Sequence, residues 1–75
     1  MDWHEYITAD PAILVGKPII LGTRISVELI LDLVSQGWQI GDITRNYLLT
    51  TEQVRACFAF ALDRVHDEKI FATVT

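Results

Sequence analysis

Seventy-five residues are enough for one domain, and the composition of this chain is apolar for that length. Hydrophobic residues make up 51% of it and charged residues 21%, the mean hydropathy is +0.30, and the formal net charge is −4. This composition excludes an intrinsically disordered chain, and because the longest uninterrupted hydrophobic stretch is residues 56–62, it also excludes a transmembrane helix.

Residues 1–25 contain both prolines and two of the four glycines, which predicts an extended N-terminal element with turns. The short apolar runs 13–15 and 18–21 are separated by only two residues, and they predict extended segments that form a small hairpin. Pro18 has no N–H group to donate to a strand ladder, so its strand is expected to be short or to lie at a sheet edge.

From residue 26 onward the apolar residues recur with a helical period, which predicts a three-helix unit over residues 26–67. The first helix is predicted over about 27–36, because Ser26 is a good N-cap and Gly37 is a good terminating residue. A shorter second helix is predicted over about 41–47, where apolar residues again share one face.

The third helix has the clearest start, because Thr50 and Gln53 form the pattern of a capping box, and it is predicted over 51–67. Its interior, residues 54–62, is apolar on nearly every side, with only Arg55 in between. A helix that is apolar all round is buried all round, and two short helices cannot cover it, so a second copy of the chain is expected to do so. The predicted homodimer interface consists of Val54, Phe58, Ala61, Leu62 and, outside this helix, Trp38.

The last residues, 68–75, alternate apolar and polar side chains and predict an extended tail to a single domain of residues 1–75. The charge is unevenly spread, because residues 1–15 hold three acidic residues and no basic one, whereas residues 16–26 hold two basic residues and no acidic one. The acidic total opposes strong non-specific nucleic-acid binding and suits a protein partner with a basic surface.

The sequence has no arrangement typical of an enzyme, a cofactor site or a metal site. His4 and His66 lie near opposite ends of the chain, and neither has neighbours that predict a catalytic triad or a metal-binding cluster. Cys57 is the single cysteine, and within an apolar helix it is expected to act as a small hydrophobic residue. We therefore expect no catalysis, no cofactor and no bound metal, and a reducing cytoplasm as the location.

The segment from Gly16 to Arg24 is the strongest local feature, and it has two interpretations. Its glycines could form an anion-binding nest, with Lys17 and Arg24 contacting a phosphate or another partner. Alternatively the glycines supply positive φ angles, Thr23 satisfies a backbone group, and Arg24 pairs with a carboxylate such as Glu28. The residues favour the second interpretation.

The same segment carries a family resemblance, because residues 16–25 read G-x-P-x-x-x-G-T-R-I and Asp10-Pro11 precedes them. With the helix that follows, this pattern resembles the family known as domain of unknown function 433, over about residues 5–65. The chain departs from that pattern at Gln39, where a Ser or Thr cap is usual, and at Leu48, where a proline is usual. The resemblance implies a mainly α, dimeric, three-helix domain of homeodomain-like or helix-turn-helix type, with a short N-terminal β-hairpin or strand pair.

The resemblance also implies a function, since members of that family are regarded as VapB-like antitoxins of type II toxin–antitoxin modules. Such an antitoxin would bind and silence a PIN-like RNase toxin encoded beside it, and would repress its own operon. On this reading the tail residues Ile70, Phe71 and Val74 are the expected toxin contacts.

Operator binding through a helix-turn-helix would use the second and third helices. The candidate DNA contacts are Arg45, Thr51, Gln53 and Arg55, because Gln can read adenine and Arg can read guanine in the major groove. Glu52 would face phosphates, and the capping box would occupy Gln53, so both oppose this role. Two other functions stay open: a DNA-binding transcriptional regulator without a toxin, and a structural dimer module that binds only protein.

Overall fold

A computed structural model describes residues 1–67, in which two short strands and three helices pack around one core. The elements are strands β1 (Ile7–Ala9) and β2 (Pro18–Ile20) and helices α1 (Val27–Ser35), α2 (Ile40–Tyr47) and α3 (Thr51–Asp67). The prediction of a mainly helical chain with an N-terminal strand pair is confirmed. In this part of the chain, none of the helices combines the length and the apolar character that crossing a membrane requires.

The two strands pair antiparallel, with Ile7 opposite Ile20 and Ala9 opposite Pro18. The predicted strand that begins at Pro18 is therefore confirmed as β2. The prediction that residues 13–15 form its partner strand is wrong, because the partner is β1. Those residues turn instead, because the Asp10 carboxylate accepts the Ala12 N–H at 2.9 Å and starts a chain reversal. The apolar character of residues 13–15 predicted a strand although Leu14 and Val15 are exposed to solvent.

Helix α1 begins and ends where its capping residues predict. The Ser26 hydroxyl accepts a hydrogen bond from the Leu29 N–H at 3.0 Å, which satisfies a free donor of the first turn. At the other end Gly37 takes a positive φ of 101°, and the Trp38 N–H donates to the Leu33 carbonyl at 3.1 Å. This is a Schellman cap, and it fixes the direction in which the chain leaves α1.

Helix α2 starts one residue earlier than predicted and ends at a strained residue. Gln39 is its N-cap but makes no side-chain capping bond. Leu48 ends the helix in the left-handed conformation, with φ 56° and ψ 46°, and its side chain is 89% exposed. Left-handed backbone costs a non-glycine residue about 1–2 kcal/mol, so Leu48 carries a local cost in stability.

The predicted capping box at the start of α3 is confirmed. The Gln53 N–H donates to the Thr50 hydroxyl at 3.1 Å, and the Thr50 N–H donates to the Gln53 side-chain oxygen at 2.8 Å. These reciprocal bonds hold the first turn of α3 against the end of the connection from α2.

The core lies between the sheet and the three helices. Its fully buried large side chains are Ile19, Ile20, Ile30, Ile43, Val54 and Cys57. The Cys57 thiol donates to the Gln53 carbonyl at 3.5 Å, and burial raises its pKa to about 12. It is a buried side chain in a helix, and at neutral pH it stays protonated, in agreement with its predicted role as a small hydrophobic residue.

The expectation that α3 is uncovered by its own chain is only partly met. Val54, Ala56 and Cys57 are buried within the single chain, and residues 58–61 are half-buried against the core. Strand β1 and the N-terminal turn of residues 3–5 cover this part of the helix together with α1 and α2. The sequence prediction counted only the two helices as cover. Uncovered apolar surface begins at Leu62.

Candidate interaction surface

An apolar groove lies between α1 and α3, with the start of β2 beside it. It has a volume of about 330 Å³. Its apolar lining residues are Pro18, Val27, Leu31, Phe60, Ala61 and Val65. Three charged residues, Lys17, Glu28 and Arg64, complete the lining. Such a surface can bind an aliphatic or aromatic side chain, and its charged residues can add polar contacts around it.

The apolar surface continues along the C-terminal half of α3. Leu62 is 68% exposed and Val65 is 54% exposed, so both side chains lie mostly in water in the single chain. Large aliphatic side chains that cluster on a helix next to an apolar groove are typical of a surface that another protein covers. We refer to the groove together with Leu62 as the α3 surface.

The residues predicted for the dimer interface lie in different environments. Ala61 lines the groove and Leu62, the next residue of α3, is exposed, whereas Phe58 is half-buried and packs against the core. Val54 is completely buried inside its own chain, so it has no surface left for a partner and is removed from the predicted interface. Trp38 is half-buried in the connection between α1 and α2, with its ring centre 6.3 Å from that of Tyr47.

Hydrogen bonds and an ion pair position the side chains of Thr23 and Lys17 in the segment from Gly16 to Arg24. Thr23 takes the predicted structural role, because its hydroxyl donates to the Ile20 carbonyl at 2.7 Å and accepts the Ile25 N–H at 3.0 Å. Glu28 pairs with Lys17, with 2.9 Å between Nζ and Oε1, and not with Arg24. Both partners of this ion pair are exposed, so its contribution to stability is small.

Arg24 lies in a second, more polar crevice, of about 560 Å³, between the loop after β1 and the turn after β2. Asp10 and Thr23 also line this crevice. No carboxylate among residues 1–67 lies within ion-pair distance of Arg24, so an anionic group of a partner could reach it.

Among the candidate DNA contacts, two are already engaged by neighbouring groups. Arg45 forms an ion pair with Asp42 one turn earlier in α2. The side-chain oxygen of Gln53 accepts the Thr50 N–H of the capping box, so the amide cannot present both of its groups to an adenine. Thr51 and Arg55 are exposed, and Arg55 has no ion pair in the described part of the chain.

A cluster that the sequence gave no reason to expect joins the N-terminus to α3. The Trp3 indole N–H donates to the Asp63 carboxylate, and the Trp3 ring packs edge-on against Phe60 at 4.8 Å. The Arg64 guanidinium lies 5.9 Å from the centre of the Phe60 ring. Phe60 and Arg64 also line the groove. No local sequence pattern could predict this cluster, because Trp3 and Asp63 are 60 positions apart in the chain.

Two of the predictions concern a metal site and the tail. Among residues 1–67, no three His, Cys, Asp or Glu side chains come together in a way that could hold a metal ion. The predicted toxin contacts Ile70, Phe71 and Val74 lie outside the described residues.

Comparison with known proteins identifies a family. The model of a family described as "Protein of unknown function (DUF433)" matches residues 7–61, from the start of β1 into the groove-lining part of α3. No curated protein and no solved structure matches the chain.

Proposed function

The chain belongs to the DUF433 family, and we propose that it is the antitoxin of a type II toxin–antitoxin module, which binds and neutralises a PIN-like RNase as a homodimer. The observation that carries the proposal is the α3 surface, an apolar groove continued by exposed Leu62. A protein that works by covering another protein needs such a surface, whereas a catalyst needs convergent reactive groups.

The homodimer rests on the exposed apolar residues of α3. Leu62 and Val65 are mostly exposed in one chain, and Ala61, which directly precedes Leu62, lines the groove together with Val65. Small domains bury a limited share of their apolar surface, and pairing two α3 surfaces would remove these residues from water. Residues Ala61 and Leu62 therefore stay in the proposed interface, with Trp38 and Phe58 as further candidates.

The proposed toxin contact involves charge as well as apolar surface. The net charge of −4 favours association with the basic surface that an RNA-cleaving enzyme uses to hold its substrate. The tail residues Ile70, Phe71 and Val74 remain the proposed contacts with the toxin.

Co-expression with the protein encoded beside this chain tests the function. We expect the two proteins to purify together, and we expect the chain to relieve the growth arrest that its neighbour causes when expressed alone. A regulator without a toxin would do neither, and a structural dimer module that binds only protein would at most purify with its neighbour without relieving the arrest. Absence of both effects would contradict the antitoxin function.

A second role, repression of the operon, is favoured by the arrangement of α2 and α3. Three residues, 48–50, connect these helices, which is the length typical of a helix-turn-helix, and Thr51 and Arg55 are exposed at the start of the second helix of the pair. We propose Arg55 as the main DNA contact, since Arg45 is paired with Asp42.

Replacing Arg55 with alanine is expected to weaken binding to the promoter of the operon. If Arg55 contacts phosphate, the slope of log affinity against log salt should fall by about 1 in gel shifts, and if it reads a base, specificity should relax at one position. Arg45→Ala is the matched control with a smaller effect, because its guanidinium already has a carboxylate partner. Equal binding by wild type and Arg55→Ala would remove Arg55 from the DNA contacts.

A further inference from the structure

Strand β1 has one edge that pairs with no other strand among residues 1–67. The sheet in this part of the chain consists of β1 and β2, so β2 covers one side of β1 and leaves the other side open. The Leu21 N–H donates to the Tyr6 carbonyl at 2.7 Å, directly before the first residue of β1. Hydrogen-bonded pairs alternate with non-hydrogen-bonded pairs along an antiparallel ladder, so Ile7 and Ala9 occupy non-hydrogen-bonded positions. Their N–H and C=O groups therefore point away from β2.

The hydrogen bonds of β2 agree with this assignment. Pro18 lies opposite Ala9, and a proline has no N–H to donate at a hydrogen-bonded position. The Ile20 N–H donates to the Ile25 carbonyl at 2.9 Å, on the side of β2 that faces away from β1. In the described part of the chain, no hydrogen bond from outside the ladder reaches the backbone groups of Ile7 or Ala9. Such an edge can pair with an extended segment of another chain.

A crevice of about 460 Å³ lies along this edge and offers side-chain contacts. All three residues of β1 line it, together with Trp3, Pro18, Phe60 and Arg64. Ile7 is buried, Thr8 is half-buried and Ala9 is exposed, so the edge opens toward Ala9. Successive side chains of an extended segment point to opposite faces, so every second side chain of a segment paired with β1 would face the aromatic rings of Trp3 and Phe60.

The charges around β1 determine which kind of segment fits the edge. Residues 1–10 contain no lysine or arginine and three carboxylates, those of Asp2, Glu5 and Asp10. Arg64 lines the crevice, and the acidic Asp63 precedes it in α3. Lys17 precedes β2 and is already paired with Glu28. The balance around β1 is therefore negative, which favours a partner segment with lysine or arginine side chains.

The same charges oppose pairing of β1 with the β1 of a second copy. Because Ile7 and Ala9 carry the outward groups, an antiparallel pair of two copies would be centred on Thr8. That arrangement places Tyr6 of one copy opposite Asp10 of the other, with Glu5 next to it. Like charges on adjacent strands are destabilising, whereas a basic segment meets no such repulsion.

We propose that an extended, basic segment of the RNase partner pairs with the open edge of β1 and places an apolar side chain in the crevice. The proposal rests on the toxin binding proposed above and identifies the element of this chain that makes the contact. It does not depend on the homodimer. Backbone hydrogen bonds along the edge would supply affinity, and the crevice would select the side chain.

Amide hydrogen exchange tests the pairing directly. The exchange rates of the chain alone are compared with those of the chain bound to the purified protein encoded beside it. Ala9 is exposed and its N–H points out of the sheet, so we expect its exchange to slow by about tenfold or more on binding. Gly22, in the exposed turn after β2, is the control and should exchange at the same rate in both samples.

Charge reversal beside the edge provides a pair of matched variants. Glu5→Lys should weaken binding to the same purified protein by about five- to tenfold, because a basic segment then meets a like charge. Glu52→Lys changes the net charge equally, but at the start of α3 and outside the crevice, and it should bind as wild type does. Both glutamates are exposed, and circular dichroism checks that both variants are folded.

The two measurements separate the edge contact from toxin binding. A bound chain in which Ala9 exchanges as fast as in the free chain, or equal affinities of Glu5→Lys and Glu52→Lys, would overturn the edge contact and leave toxin binding intact. Absence of any binding between the two purified proteins would overturn toxin binding and the edge contact together.

Discussion

Replacing Leu62 with aspartate is expected to convert the proposed homodimer into a folded monomer. Leu62 is 68% exposed in the single chain, so a carboxylate there stays in water and leaves the fold intact. In a dimer that covers the α3 surface, the same carboxylate would be buried without a partner, at a cost of several kcal/mol. Light scattering gives the mass in solution, and circular dichroism shows whether the helices are retained.

Leu48→Asp is the matched control for this experiment. It places the same charge on another exposed leucine, at the connection between α2 and α3 and outside the α3 surface. We expect this variant to remain dimeric. A dimer of unchanged strength in Leu62→Asp would show that Leu62 lies outside the interface. Phe58→Asp is less informative, because Phe58 packs against the core and its loss would also destabilise the single chain.

Replacing Ile30 with alanine is expected to have the largest effect on folding. Ile30 is completely buried at the middle of α1. Truncating such a side chain lowers the free energy of unfolding by about 2–5 kcal/mol, through lost burial and the cavity that remains. Since the core of a domain of this length rarely stabilises it by more than about 3–5 kcal/mol, the variant should be partly unfolded at 37 °C.

Urea denaturation measures this loss, and Leu21→Ala serves as its control. Leu21 is 56% exposed in the turn after β2, so its truncation should change the free energy of unfolding by about 0.5 kcal/mol at most. Equal losses in the two variants would contradict the placement of Ile30 in the core.

The helices were predictable because their signals are local. Ser26, Gly37 and the Thr50–Gln53 pair act on the backbone within four residues of themselves, and each makes the contact that its position predicts. The observed start of α2 differs from the predicted start by one residue. Gln39, the N-cap, makes no side-chain capping bond, so no local signal marks this boundary in the sequence. The first strand was misplaced because hydrophobicity alone does not distinguish a buried strand from the exposed apolar tip at Val15.

The interaction surface was less predictable because it depends on residues far apart in the chain. The groove combines Pro18, Leu31 and Phe60, which come from three different elements. The choice of Lys17 over Arg24 as the partner of Glu28 depends on how β2 meets α1, and the sequence spacing does not determine that contact. Burial of Val54 likewise depends on the whole core, although the helical period gave it the same character as Leu62.

The most direct measurement of the proposed function is RNA cleavage by the purified protein encoded beside this chain, with increasing amounts of the chain added. We predict that cleavage falls to background when the chain reaches an amount stoichiometric with the RNase, and that the unrelated substitution Leu21→Ala leaves this titration unchanged. Full cleavage in the presence of excess folded chain, or a neighbouring protein that does not cleave RNA, would contradict the antitoxin function.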